Sequence, residues 1–183
     1  MRLPHRTAVS SFIVLVISLP VNAAGQNRRG LVFGHVGLAS IGHSDSEQGK
    51  ARIFGGGAAF DLTPRLIVEG DLHGARVSHV FGRPQHDFTE LTVTGSLLYR
   101  GFADRRVHLL AGGGYGLQRA HSAFTVAPVG AVDRTDVLGL WHWRAGAEWD
   151  VSNRAVVRTE AVSWFGVGLD WVMGGRLSVG YRF

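Results

Sequence analysis

The sequence contains no cysteine, and only one of its 19 lysine and arginine residues is a lysine, Lys50. The lack of cysteine excludes a disulfide scaffold, a thiolate metal site and a lipid anchor attached through cysteine. Charged residues make up 18% of the chain, whereas soluble proteins usually cover their surface with abundant lysine and glutamate. No basic run or helical basic pattern indicates nucleic-acid binding. The composition therefore favours a single domain whose surface is not adapted to water on all sides.

The first 23 residues have the pattern of a secretory signal peptide. Arg2 and Arg6 precede an apolar run from Ala8 to Leu19, and the small-residue pattern Val21-Asn22-Ala23 follows it. A transmembrane helix requires about 20 apolar residues, and this run is shorter. We therefore expect residues 1–23 to form a cleaved signal peptide and residues 24–183 to form one mature domain.

Apolar residues recur at every second position through the mature chain, which predicts β-strands. The last segment is the clearest case, because one face carries Trp171, Met173, Leu177, Val179, Tyr181 and Phe183 while Arg176, Ser178 and Arg182 lie between them. Similar alternation occurs in segments 54–62, 66–73, 90–100, 107–117, 137–151 and 155–165. In segment 31–39 the outward face is ambiguous, because Val32 and Val36 compete with Phe33. The sequence predicts eight strands.

The connections between these strands alternate in length. Long polar stretches are predicted at residues 41–50, 78–87 and 121–136, whereas short turns follow the second, fourth and sixth strands. The fourth long-side connection, at residues 166–168, is an exception because it is short. Alternating short turns and long loops are typical of transmembrane β-barrels. We predict an all-β fold, an eight-stranded antiparallel up-and-down transmembrane barrel.

Period-two patterning also fits a soluble barrel of the lipocalin kind, with its apolar face inward. Bulky aromatic residues near the strand ends favour the lipid-facing solution, because aromatic girdles mark the two interfaces of a membrane. The predicted girdle consists of Tyr99, Trp141, Trp143, Trp149 and Trp171. The other face would fill a narrow lumen with paired charges. The predicted lumen ion network consists of Glu69, Asp71, Glu90, Arg100, Arg144, Glu148, Arg158, Glu160 and Arg176.

The mature chain resembles the OmpA/OmpX-type small outer-membrane barrels, and its C-terminal octapeptide Arg176–Phe183 resembles the assembly signal of that class. Leu177, Val179, Tyr181 and Phe183 match the alternating apolar positions and the terminal aromatic residue, whereas Ser178 stands where the family usually has glycine. The resemblance implies an outer-membrane location, contact with outer-membrane lipids and with the barrel assembly machinery, and no cofactor.

Two residue groups could carry chemistry. Glu69, Asp71 and His73 alternate along one strand and would share one space, as acid–base residues or metal ligands require. The lumen ion network is the favoured alternative, because buried charges require partners. His121-Ser122 invites comparison with barrel enzymes that hydrolyse lipid A acyl esters, although sequence adjacency does not make a catalytic pair.

The preferred function is non-enzymatic. We expect a structural or surface-interaction protein whose extracellular loops contact a ligand or partner, with Phe124–Val132 as the contact surface because it is the most apolar loop. The alternatives are a narrow porin-like conduit for small solutes and, third, a lipid A-modifying enzyme. No catalytic, cofactor-binding or metal-binding residue is assigned.

Overall fold

The computed structural model describes residues 30–42, 48–80, 87–102, 106–126, 130–166 and 169–183. The predicted signal peptide lies outside these residues. Eight strands follow one another along the chain: β1 (Gly30–Gly42), β2 (Gln48–Asp61), β3 (Leu66–Val80), β4 (Asp87–Gly101), β5 (Val107–Val126), β6 (Gly130–Asp150), β7 (Ala155–Gly166) and β8 (Leu169–Arg182). In the described part of the chain, no helix is long and apolar enough to cross a membrane.

Each strand pairs antiparallel with the next, and β8 pairs with β1, so the sheet closes into a barrel. The closure includes two backbone hydrogen bonds between Gly30 and Phe183, at 3.0 and 2.9 Å. A closed barrel leaves no strand edge along the paired residues, which is the condition for crossing a lipid bilayer with β-strands. The predicted eight-stranded antiparallel barrel is confirmed.

Most of the large apolar side chains of the strands point outward, and most of the polar ones point inward. On β4, for example, Leu91, Leu97 and Tyr99 are about half exposed, whereas Thr92 and Arg100 are buried. This arrangement is the inverse of a soluble barrel, and the apolar exterior matches a hydrocarbon surrounding. Arg52 and Arg76 face each other across β2 and β3 on the exterior, toward the loop end of the barrel.

The turns at the opposite end of the barrel are short and are closed by hydroxyl groups. The Oγ1 of Thr63 accepts hydrogen bonds from the backbone N–H of Arg65 and Leu66, at 3.2 and 3.0 Å. The Oγ of Ser152 accepts equivalent bonds from Arg154 and Ala155, at 3.2 and 2.9 Å. Such local side-chain bonds favour turns over continued strand. Both turns are where the sequence predicts them.

The strands are longer at the loop end than the sequence pattern predicts. Most of the polar stretch 121–136, expected to be a loop, is a β-hairpin in which β5 and β6 remain paired up to Val126 and Gly130. The reason is physical: a hairpin that extends beyond the bilayer needs no apolar face, so period-two hydrophobicity does not reveal it.

The lumen contains two apolar clusters in addition to its polar groups. One lies toward the turn end and consists of Leu31, Phe33, Ala59, Ile67, Leu98, Leu110 and Val156. The other lies toward the loop end and consists of Ala39, Ala51, Ile53, Ala75, Leu140, Val162 and Trp164. Phe33 therefore faces inward, which settles the orientation of β1, and Val32 and Val36 face outward at 45% and 61% exposure.

Candidate functional site

The middle of the lumen is occupied by ionised side chains that project from opposite walls. Eight of the nine predicted interior residues lie in one connected network of ion pairs. They come from β3, β4, β6, β7 and β8, and each is less than a tenth exposed. Period-two alternation places all of them on the inner face, and closure of the sheet brings the opposite charges together.

Arg158 is the centre of this network. Its guanidinium donates at 2.6 Å to Glu69 and at 2.6 Å to Glu148, and it also lies over the ring of Phe33 at 5.5 Å from the centroid. All three charged groups are 2% exposed or less. Charge-assisted bonds of this length are strong, and each partner compensates the others for the loss of solvent.

Toward the loop end, two further arginines form ion pairs with the carboxylates of the network. Arg144 lies 2.6 Å from Glu69 and 3.6 Å from Glu160. Arg176 donates to Glu160 at 2.8 Å and also to Asp71. Arg144 thus contacts two carboxylates, and Arg176, which also lies 3.5 Å from Glu69, contacts three, as the fork of guanidinium donors allows.

Toward the turn end, the network extends to residues that the sequence did not assign to it. Arg100 lies 3.3 Å from Glu148 and 3.0 Å from Asp61, and Arg182 donates to Glu148 at 2.9 Å and to Asp150 at 2.7 Å. Arg182 follows Arg176 and Ser178 on the polar face of β8, so the alternation contained a signal for it.

Glu90, the ninth predicted residue, lies apart from the network. Within the described residues no ion pair joins it to an arginine, and it lines a small cavity near the loop end. The cavity is also lined by His73, Thr92, Gln118 and Trp164. Glu90 sits closer to the loop end of β4 than Arg100 does, so the arginines of the network lie too deep in the lumen to reach it.

Four of the described histidines are buried in the lumen, and only His73 was among the candidates from the sequence. His142 is 2.9 Å from Ser96, and His108 contacts Asp150 and the carbonyl of Phe102, each at 3.0 Å. His35 and His73 flank Asp71, at 3.8 and 3.5 Å. Of the three candidates Glu69, Asp71 and His73, Asp71 and His73 are thus close together, whereas Glu69 forms ion pairs with Arg144 and Arg158.

His121 and Ser122 lie within strand β5, where consecutive residues project to opposite faces. The Nδ1 of His121 is 3.3 Å from the Oγ1 of Thr135 on β6. The side chain of Ser122 lies outside the described residues. Regular strand backbone at this position does not favour a nucleophile and base in contact.

The predicted girdle and the C-terminal positions lie on the exterior. Tyr99 and Trp149 lie near the turn end of the barrel, whereas Trp141 and Trp143 lie closer to the loop end. Trp141 packs edge-to-face on Tyr115, with their ring centroids 5.2 Å apart. The side chain of Trp171 lies outside the described residues. Leu177, Val179, Tyr181 and Phe183 all face outward, with exposures of 47 to 62%.

No family model and no curated relative matches this sequence. Solved structures do match its fold. Neisserial surface protein A is 15% identical over 86% of this chain and 96% of its own, with a TM-score of 0.55. Ail, the attachment invasion locus protein of Yersinia pestis, is 15% identical over 87% and 100%, with a TM-score of 0.56. The N-terminal barrel domain of Pseudomonas aeruginosa OprF is 14% identical over 84% and 97%, with a TM-score of 0.57.

These similarities concern the backbone, since identities of 14 to 15% carry no site residue from one chain to another. Together with the closed sheet, the apolar exterior and the charged interior, they show which fold the sequence adopts. The chain has the fold of the small eight-stranded outer-membrane β-barrels, as its resemblance to the OmpA/OmpX type implied.

Proposed function

We propose that the protein is a closed outer-membrane barrel that acts at the cell surface as an interaction protein, with the β5–β6 hairpin as its contact element. The observation that carries this proposal is the length of the hairpin. β5 and β6 have 20 and 21 residues, whereas the other six strands have 12 to 15. The additional residues lie at the loop end.

The hairpin rises beyond its neighbours on both sides. β4 reaches only Ala123 of β5, and β7 reaches only Leu140 of β6. Residues 130–139 of β6 are therefore paired on the β5 side only, as far as the structure describes the chain. Ten residues of strand extend roughly 30 Å. Their second edge carries backbone donors and acceptors to which another extended segment can pair.

The packed lumen supports an interaction role over transport. An eight-stranded barrel is only wide enough for its own side chains. Here a network of paired charges lies between two apolar clusters, and Arg158, Glu69 and Glu148 are 2% exposed or less. A solute would have to separate buried ion pairs to pass, which costs several kcal/mol per pair broken.

Two proteins of the same fold are named for the surface and for attachment, Neisserial surface protein A and the attachment invasion locus protein Ail. They support the view that this scaffold suits a surface role. The signal peptide predicted over residues 1–23 would supply the export that this role requires. The outward-facing Leu177, Val179, Tyr181 and Phe183 would be presented to the barrel assembly machinery during insertion.

The test is a shortened hairpin. Ala123 and Asp133 are register partners, so residues 124–132 can be replaced by Asn-Gly, which forms a two-residue hairpin turn. Bacteria that express the parent or the shortened protein are applied to arrays of extracellular-matrix proteins and glycans and to epithelial monolayers. We expect binding by the parent and its loss on shortening.

The matched control replaces residues 81–86, between β3 and β4, with a glycine–serine segment of equal length. Fractionation and heat-dependent gel mobility report the location and folding of each variant. Retained binding after shortening, with folded protein in the outer membrane, would rule out the hairpin as the contact element. A soluble periplasmic product would contradict the membrane assignment itself.

A further inference from the structure

Three metal-ligating side chains converge in the lumen beside the charge network. His35 is on β1, and Asp71 and His73 are on β3. One ligand atom from each lies within 4.8 Å of those of the other two. The Nδ1 of His73 lies 3.5 Å from the Oδ1 of Asp71, and the Nδ1 of His35 lies 3.8 Å from the Oδ2 of Asp71. These distances are too long for hydrogen bonds, but they leave space for an ion between the three groups.

The fold brings the two histidines together over a glycine. His35 pairs with Gly55 on β2, and Gly55 pairs with His73 on β3, so the three residues form one row on the inner face. A Cβ on Gly55 would collide with the backbone of Leu72 and His73. The bare middle position allows the ring centroids to approach to 6.1 Å across a strand.

The atoms that face this space have no hydrogen-bond partner within the described structure. They are both ring nitrogens of His35, the Nδ1 of His73 and the Oδ1 of Asp71. The residues are 4%, 6% and 3% exposed. Buried polar atoms are nearly always partnered in folded proteins, so a group of unpartnered nitrogen and oxygen atoms on three neighbouring side chains points to a bound ligand.

A second histidine–carboxylate cluster, His108, Glu148 and Asp150, shows the contrast. Both ring nitrogens of His108 have hydrogen-bond partners at 3.0 Å, and both carboxylates accept from Arg182. In that cluster, other protein groups supply hydrogen-bond partners to the histidine and to both carboxylates. In the group of His35, Asp71 and His73, several ring nitrogens and a carboxylate oxygen have no such partner.

Summed over the whole network, the charge is compatible with a bound cation. Arg176 binds the Oδ2 of Asp71 and leaves Oδ1 available. Across the described ion network, the carboxylates of Asp61, Glu69, Asp71, Glu148, Asp150 and Glu160 outnumber the guanidiniums of Arg100, Arg144, Arg158, Arg176 and Arg182 by six to five. A bound cation would offset the excess negative charge.

We propose that His35, Asp71 and His73 form a lumenal binding site for a divalent transition-metal ion, with Zn²⁺ as the best match. Two imidazoles and one carboxylate are a common three-ligand zinc set that leaves one position open. The small cavity lined by His73, Thr92 and Glu90 adjoins the site through His73. Imidazole ligands also suit Ni²⁺ and Cu²⁺.

The test is calorimetric titration of Zn²⁺ into the untagged mature chain, refolded in detergent micelles. We expect one ion per barrel and a urea midpoint that rises with zinc concentration, because an ion bound only by the folded state stabilises it. His35→Leu and His73→Leu should each weaken binding more than about 100-fold, since loss of an outer-shell group alone costs up to about 100-fold.

Both leucine variants should fold, because neither ring nitrogen of His35 nor the Nδ1 of His73 has a hydrogen-bond partner in the described barrel. Without zinc, their urea midpoints should equal or exceed that of the parent. His121→Gln, which changes an exposed histidine, is the control and should bind zinc as the parent does. Absence of saturable zinc binding by the parent would overturn the proposal, as would unchanged affinity in either leucine variant.

Discussion

The Oγ of Ser96 and the Nε2 of His142 lie 2.9 Å apart although their strands, β4 and β6, are not neighbours. β5 runs between them, and the residue that pairs with both is Gly114. A Cβ on Gly114 would collide with the backbone of Gly95. The contact between Ser96 and His142 therefore depends on the absence of a side chain at one position.

We expect Gly114→Ala to lower the free energy of unfolding by about 1–3 kcal/mol, the usual cost of forcing an extra methyl group into a packed interior. The measurement is urea unfolding of the barrel refolded in lipid vesicles. Gly95→Ala is the matched control, because its Cβ would meet no heavy atom within 4 Å. Equal losses in the two variants would contradict this explanation of Gly114.

Glu148 is fully buried and contacts Arg158, Arg100 and Arg182. Glu148→Gln should destabilise the barrel by about 3–5 kcal/mol, because three buried arginines each lose one of their two counter-ions. The same unfolding measurement applies. Arg106→Gln, a change of an exposed residue, should alter stability by less than about 0.5 kcal/mol. An unchanged midpoint for Glu148→Gln would show that the network does not stabilise the fold.

The apolar exterior makes a depth-dependent prediction. Leu72 is 49% exposed and lies near the middle of β3, whereas Leu66 is 37% exposed at its turn end. Leu72→Arg should cost about 2–4 kcal/mol and Leu66→Arg about 0–1 kcal/mol, because a charge is costly in the bilayer centre and tolerated near the interface. Unfolding in vesicles measures both. Similar costs in the two variants would argue against a membrane-spanning belt.

The narrow-conduit alternative can be tested directly. Purified barrel incorporated into a planar bilayer should give no stable conductance steps, because the lumen is filled by paired charges and two apolar clusters. A porin of known conductance, reconstituted in the same lipid, is the positive control. Reproducible steps from the purified protein would favour transport over surface interaction.

Phe183→Ala tests the proposed C-terminal assembly signal. The terminal backbone bonds to Gly30 do not involve the ring, so refolding in vitro should be largely retained. In cells, we expect several-fold less folded protein in the outer membrane, measured by fractionation and heat-dependent mobility. Phe165→Ala, another exposed aromatic residue, is the control. Equal losses in vitro and in cells would indicate a packing role for Phe183 instead.

The sequence predicted the fold well because every strand of a barrel in lipid shows the same alternation of apolar outward-facing and polar inward-facing residues. It was undecided or wrong where that alternation does not hold. Phe33 faces inward because the lumen accepts an aromatic ring that lies under the guanidinium of Arg158. The stretch 121–136 is largely hairpin because neither face has to be apolar outside a bilayer. Ser163 is buried although both its neighbours, Val162 and Trp164, also face inward, close to a register irregularity, and such a local shift changes which face a residue joins.

For the lumen, the sequence predicted correctly which residues face inward, but it did not predict which of their side chains are in contact. The eight connected charges followed from alternation alone. The proximity of His35 to His73, and of Ser96 to His142, follows from the register of three consecutive strands, each pair flanking a glycine. Register was not specified by hydrophobic periodicity, so these pairs could not be identified from sequence.

The ion pair between Glu69 on β3 and Arg158 on β7 joins strands that are four apart in a ring of eight, which is the full diameter of the barrel. Backbone ladders connect only adjacent strands, whereas this pair braces opposite walls and resists flattening of the cross-section. The charges are also divided along the chain. β1–β4 supply the three carboxylates Asp61, Glu69 and Asp71 against the single network arginine Arg100, and β5–β8 supply four arginines against the three carboxylates Glu148, Asp150 and Glu160. The network charges of the two halves therefore have opposite net signs, so half a barrel in a bilayer would hold uncompensated charge, and insertion is expected to be completed by both halves or by neither.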